Sequence, residues 1–325
     1  HLYEPDHPSR REQPDGGTYV FDYGRPQVRS FLVASALFWL DEYHIDGLRV
    51  DAVAAMLHLD FSRQGGEWIP NEHGGRENLD AVRFLQEMNR AVHEQFPGVL
   101  TFAEESTAWP KVSHPVEEGG LGFDLKWNMG WMNDLLDYVG QDPLFRRSMH
   151  DQITFSIHYA FSERFLLPLS HDEVVHGKAS LVSKLPGDSW AAQAQLRLLL
   201  AYQMTHPGKK LLFMGAELGQ WTEWNYQDQL DWWLLEHEPH WQLRDTVVEL
   251  NRLYREEPAL HEYDFDWRGF RWLDRLDGNR SVLAFLRLAA ADDESVAVVA
   301  NFTPMRWDRY VLGAMKEGPY GVLFS

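Results

Sequence analysis

The 325-residue sequence contains no cysteine, which excludes a disulfide framework, a thiolate nucleophile and thiolate-ligated zinc. Cations are scarce too: 30 Lys+Arg stand against 49 Asp+Glu, for a formal net charge of −19. Such a surface repels polyanions, so nucleic acid and an anionic membrane are poor partners and a neutral ligand suits it better. No run of about 18 apolar residues occurs. The opening His1-Leu2-Tyr3-Glu4-Pro5-Asp6 has neither the basic nor the apolar region of a secretory signal. The expectation is a cytoplasmic monomer without a membrane span.

What is abundant is apolar and aromatic material. Hydrophobic residues make up 44% of the chain and 14 residues are Trp, enough for one large domain or one with a smaller companion. Indole rings serve cores and also stack on sugar rings. Pro26 to His44 reads as a helix, with Pro26 in its first turn and Val28, Phe31, Leu32, Ser35, Phe38 and Trp39 along one face. Asp46 to Val53 reads as a short buried strand. Residues 54–78, without a sustained period, read as a long loop of the kind that carries function. Asn78 is placed to cap a helix bearing Val82, Leu85, Met88 and Val92, stopped by Pro97-Gly98. Val99 to Glu104 is the next strand. Further strands are predicted at 122–127, 165–170 and 210–215, and helices at 131–139, 190–205 and 240–256. Strands alternating with helices in this way predict a parallel α/β fold. From about Asp264 short strand-like runs take over, as in Ser281 to Leu286 and Val296 to Ala300, so 1–263 and 264–325 are expected as separate domains.

Asp51, Glu104 and Asp172 each fall at or just past the C-terminal end of a predicted strand, the face on which barrel enzymes build their sites. Any one of them alone is more simply an ion-pair or turn residue. As a set they match the needs of retaining glycosyl transfer: a carboxylate to attack the anomeric carbon, an acid to protonate the leaving oxygen, and negative charge near an oxocarbenium-like transition state. Arg49 shares a strand face with Asp51 and is placed to hold it ionised. His171 adjoins Asp172 in a dense polar cluster, Ser170 to Lys178, where it is a candidate partner for sugar hydroxyls. A metal held by His171, Asp172 and His176 is the weaker alternative.

These residues resemble the conserved regions of glycoside hydrolase family 13, the α-amylase family. Asp46-Gly47-Leu48-Arg49-Val50-Asp51 is similar to its second region, Ala103-Glu104 to its third and Ser170-His171-Asp172 to its fourth. The resemblance implies a (β/α)8 barrel followed by a C-terminal all-β sandwich. It also implies roles: Asp51 as nucleophile, Glu104 as general acid/base, Asp172 as transition-state stabiliser, and Arg49 and His171 as binding partners around the cleaved bond. Glu105 competes with Glu104, but neighbouring strand residues face opposite ways and the motif puts the first Glu at the centre. The family's opening region is absent, so the chain reads as beginning after the first three barrel strands and stopping within the C-terminal domain.

Within the family the wording resembles bacterial glycogen branching enzymes, in Glu67 to Glu72, Gly74 to Asn78, Ala103 to Thr107, Ser170 to Lys178, Gly215 to Gln220 and Glu223-Trp224-Asn225. This implies cleavage of α-1,4 bonds in glycogen or amylose and transfer to a 6-hydroxyl, forming α-1,6 branches. Trp221 and Trp224 are candidate stacking platforms for the glucan. Two rivals stand: a hydrolase of the same family, using water as acceptor, and an inactive glucan-binding scaffold, against which the three carboxylates and Arg49 weigh. No phosphate loop or nicotinamide fingerprint occurs at a strand-to-helix junction, so no organic cofactor is expected; no metal ligand is assigned, and calcium stays open.

Overall fold

The computed structural model describes residues 3–274, 277–291, 295–313 and 318–325. Contacts divide the chain into two units, His1–Trp127 with Ser162–Arg164, and Asn128–Phe161 with Phe165–Ser325.

The first unit opens with a single helical turn, α1 (Pro8–Arg11), and a small antiparallel ladder of β1 (Glu12–Gln13) and β2 (Thr18–Tyr19). Helix α2 (Pro26–Tyr43) begins on Pro26, as predicted, and ends on His44 in the left-handed region. Its buried line is Val28, Ala36 and Leu40, whereas Phe31, Phe38 and Trp39 are exposed. The helix is apolar on almost every side, so periodicity alone does not choose the inward face.

Strand β3 (Gly47–Val50) leads into a short helix, α3 (Val53–Leu57), where the sequence suggests only loop. Helix α4 (Leu79–Gln95) follows, with the Asn78 side chain accepting from the Ala81 amide at 3.3 Å, and buries Leu85, Met88 and Val92. Strand β4 (Leu100–Ala103) pairs parallel with β3 in the register Arg49 to Phe102 and Val50 to Ala103. A Cβ on Gly47 would meet the Leu100 carbonyl oxygen at 2.7 Å, so only glycine allows the two strands to start this close together. Strand β5 (Leu125–Trp127) joins the other side of β4, also parallel. Helices α2 and α4 pack together, and Leu40, Val53, Leu57, Phe84, Leu85 and Val92 form the core beneath them.

In the second unit α5 (Met129–Gly140), α6 (His150–Phe155), β6 (Phe165–Leu169), α7 (Ser189–Thr205), β7 (Lys209–Leu212) and α8 (Glu238–Glu256) follow one another. Strands β6 and β7 are parallel, from Leu166 opposite Lys209 to Leu169 opposite Leu212, with α7 as their crossover. Every residue of β6 is buried, which explains its unbroken apolar sequence. The chain ends in an antiparallel sheet of β8 (Phe270–Asp274), β9 (Val282–Leu288) and β10 (Ser295–Asn301), with β9 central. Leu283, Phe285, Ala300 and Phe302 belong to the same buried cluster as Tyr138 of α5 and Leu196, Leu199 and Tyr202 of α7. The sheet therefore shares its core with the helices. Among the described residues no helix is long and apolar enough to cross a membrane.

Candidate active site

Asp51 and Glu104 are the first residues past β3 and β4. The parallel register fixes them side by side: the Glu104 amide donates to the Val50 carbonyl at 3.0 Å, and the Val53 amide donates to the Glu104 carbonyl at 2.9 Å. Between them Ala52 takes a positive φ of 49°, a conformation costly for a residue with a side chain and one that tends to cluster at functional sites. That turn points the Ala52 amide at the Glu104 carboxyl, which it reaches at 3.0 Å.

Arg49 organises the pair. One of its nitrogens, Nη2, donates to Asp51 Oδ1 at 2.8 Å and to Glu104 Oε2 at 2.7 Å. The guanidinium carbon lies 4.4 Å from the centre of the Trp127 ring, which holds the cation from its flat side. Burial pushes the Glu104 carboxyl up to about 7, and a hydrogen bond with Asp51 adds to this; the Ala52 amide and Arg49 pull the other way and are outweighed. The Asp51 side chain is far more open to solvent than that of Glu104. Two carboxyls of the same kind are thus set in different environments, one kept protonated near neutrality and one solvated beside a cation.

Glu105 is occupied elsewhere. Its side chain is fully buried, ion-paired to Lys126 Nζ at 2.8 Å, and accepts from the Thr107 amide and hydroxyl at 3.0 and 2.5 Å. Lys126 also donates to the Thr107 carbonyl at 2.8 Å. Sequence reading missed Lys126 and Trp127, although a lysine inside the buried strand Leu125-Lys126-Trp127 was a signal, because a buried cation needs a buried anion.

In the second unit, β6 ends at Leu169 and Ser170 caps a single turn, His171–Glu173, accepting from the Asp172 amide at 3.2 Å. His171 Nε2 lies 3.3 Å from Asp172 Oδ1. The His171 ring is braced by Phe213 and Trp224, which meet each other edge to face at 5.1 Å. Trp224 is half-buried and its amide donates to the Val174 carbonyl, so packing against His171 is part of its place in the fold. Trp221 is the more open of the two candidate platforms, and its carbonyl accepts from the hydroxyls of Ser180 and Ser183. Glu223 accepts from the Gly177 and Ala179 amides, which hold its carboxyl below the usual range and fix the 176–179 turn. The structure thus gathers Arg49, Asp51 and Glu104 in one unit, and His171, Asp172 and Trp224 in the other.

Parallel strands ending in an arginine-held pair of carboxyls, one of them poised to carry a proton near pH 7, define an α/β domain equipped for acid–base chemistry with a carboxylate nucleophile. A family model described as the catalytic domain of alpha-amylase matches residues 10–233, and the chain belongs to the alpha-amylase family. The fold is accordingly that of the family's (β/α) barrel, with the antiparallel sheet following it.

Among curated proteins, the chain is 59% identical over 98% of its length to a 1,4-alpha-glucan branching enzyme of Thiobacillus denitrificans, covering 43% of that protein. It is 60% identical over 94% of its length to the enzyme of the same name from Nitratidesulfovibrio vulgaris, covering 47% of it. The chain therefore spans about half the length of the curated relatives it matches. Among solved structures, a pullulanase from Anoxybacillus complexed with maltotetraose matches 93% of this chain and 44% of its own, with TM-score 0.64 and 16% identity. A cyclomaltodextrinase matches 86% and 41%, with TM-score 0.58 and 22% identity. At these identities the likeness is one of fold.

Proposed function

We propose that the chain carries the catalytic centre of a 1,4-α-glucan branching enzyme of glycogen biosynthesis, a cytoplasmic and monomeric protein acting on glycogen or amylose. The observation that carries the reading is the Arg49–Asp51–Glu104 constellation, with Glu104 pushed up to about 7. The names of the relatives supply the particular reaction.

Protonated Glu104 gives its proton to the glycosidic oxygen as an Asp51 oxygen bonds to C1 and the C1–O4 bond breaks. This leaves a glucosyl ester on Asp51 and a free 4-hydroxyl on the departing chain. Glu104, now ionised, takes the proton from the 6-hydroxyl of an acceptor glucan; O6 bonds to C1 and the ester bond breaks. Two inversions leave the α configuration unchanged. Arg49 keeps Asp51 ionised for attack, and the direct Glu104–Asp51 hydrogen bond yields when the sugar enters. Asp172 stabilises the positive charge that develops on the ring, His171 binds sugar hydroxyls, and Trp221 and Trp224 line the path of the glucan. Residues 1–263 form the catalytic domain in this reading, and 264–325 begin a second one.

The test is incubation of the full-length protein with linear amylose, followed by proton NMR of the anomeric region, with Asp51→Ala as the blank. New α-1,6 signal with few new reducing ends, lost in the variant, is the expected result. Reducing ends without α-1,6 signal would identify a hydrolase, and no change in the glucan would identify a binding scaffold.

A further inference from the structure

In the second unit, the chain just past the His171–Glu173 turn is held in a shape that its residues disfavour. His176, Gly177 and Ala179 have positive φ angles of 58°, 80° and 67°. Glycine enters that region freely, but histidine and alanine stay there only where surrounding contacts over-determine the backbone. The contacts come from a segment 44–46 residues further along the chain. Glu223 Oε2 accepts from the Gly177 amide at 3.1 Å, and Glu223 Oε1 accepts from the Ala179 amide at 2.6 Å. Backbone amides turned toward one point make a small anion-binding concavity, and here a carboxylate of the same unit fills it.

Glu223 belongs to a row of ties between the two segments. The Trp224 amide donates to the Val174 carbonyl at 3.0 Å, and the hydroxyls of Ser180 and Ser183 donate to the Trp221 carbonyl at 3.1 and 2.9 Å. Lys184 Nζ donates to the Lys178 carbonyl, from within the first segment. The row frames the His171–Asp172 pair. Val174 follows that turn directly, and Trp224, the residue after Glu223, stands edge-on to the His171 ring with centres 6.4 Å apart. His171 Nε2 lies in turn 3.3 Å from Asp172 Oδ1. A continuous path of contact therefore runs from the Glu223 carboxylate to Trp224, to the His171 ring and on to Asp172.

We infer that Glu223 is a positioning residue for the proposed glycosyl transfer: its carboxylate clamps the 176–179 turn and so keeps Trp224 against His171, holding the His171–Asp172 pair in its working arrangement. A carboxylate suits the task. Each oxygen takes one amide, so the two bonds set both the distance and the direction of the turn, which one neutral acceptor does not. Glu223 is also the tie made at the strained residues themselves, where a lost acceptor lets the backbone relax. The inference rests on the α-glucan reading of His171 and Asp172, and adds to it a residue that acts through His171.

The test is a double-mutant cycle in the full-length protein. Glu223→Gln keeps the length of the side chain and one acceptor oxygen, and is expected to lower kcat/KM for amylose about tenfold; Glu223→Ala, with no acceptor, lowers it further. In a His171→Ala background the same two changes are expected to cost less than about twofold, because the residue through which the clamp acts is gone. A merely structural role would give equal losses in both backgrounds. Amide hydrogen exchange without substrate is the second measurement, with faster exchange in Glu223→Gln expected at 174–179 and at Trp224. Equal losses in the two backgrounds, or unchanged exchange at those amides, in a protein that does branch amylose would overturn the positioning role and leave the proposed reaction standing. A native protein that leaves amylose unchanged would overturn the reaction and the positioning role together.

Discussion

Glu104 shows how position turns an ordinary carboxyl into an acid for neutral pH. Burial disfavours its charged form, and the shift from 4.5 to about 7 has a sign that bears on both rate and stability. In the proposed reaction the first step needs the proton on Glu104, so kcat/KM of the full-length protein for amylose is expected to fall as pH rises through about 7. Glu104→Gln is expected to lower kcat/KM by about 10²–10⁴-fold across that range, read from initial rates. For stability, the folded state holds the proton between pH 4.5 and 7 while the unfolded chain releases it. The folded protein thus loses stability as pH rises through that window, and the Gln variant should not; denaturation midpoints at pH 5 and pH 8 compare the two. Arg49, Asp51 and Glu104 were legible as candidates because three carboxyls at strand ends, with an arginine on the face of one of them, are improbable as a set of mere packing residues. The shift on Glu104 was not legible: it depends on the burial of its carboxyl and on the hydrogen bond with Asp51, which together outweigh the Ala52 amide and Arg49.

Among the elements, α4 and α2 make a useful contrast. Helix α4 alternates a polar and an apolar face and carries its own cap in Asn78, so its start and its inward residues follow from local sequence. Helix α2 is apolar nearly all round. Its boundaries were readable from Pro26 and the Asp46-Gly47 turn, but its buried line, Val28, Ala36 and Leu40, was selected by the partner it packs on, α4. Leu40 is 2% exposed and Phe38 49%. Leu40→Ala is therefore expected to cost this chain about 2–5 kcal/mol of stability, and Phe38→Ala several-fold less, as measured by chemical denaturation. The opposite order would mean that the face read from periodicity is the buried one. Helix α3 escaped sequence reading because five residues are too few to show a period.

At the scale of the molecule, the antiparallel sheet is fastened to the helices of its own unit by a buried arginine. Arg287 of β9 is fully buried, pairs with Asp264 at 2.9 Å, and donates to the carbonyls of Thr205, Leu260 and Gly269. It links the end of α7, the segment past α8 and the start of β8 in one network. Removing the cation leaves buried Asp264 with Lys209 as its remaining ion-pair partner and takes the donor from three carbonyls, so Arg287→Met is expected to destabilise the chain by about 3–5 kcal/mol, read from the urea midpoint. The change from helix-forming to strand-forming sequence near Asp264 was visible as a change of period, but its shared core was not, since the contacts of Phe285 and Phe302 with Tyr202 span about 80 and 100 residues.

The sequence by itself determined the order of strands and helices, the parallel α/β class, the caps and the residue types at the strand ends, because each is set by neighbours a few residues apart. Only the tertiary structure decided that Lys126 is the partner that locks Glu105, which face of α2 turns inward, and that a pocket lies between the loops after α3 and β4. The physical reason is common to all three. Burial and pairing are properties of distant partners brought into contact, and a local pattern carries no record of them.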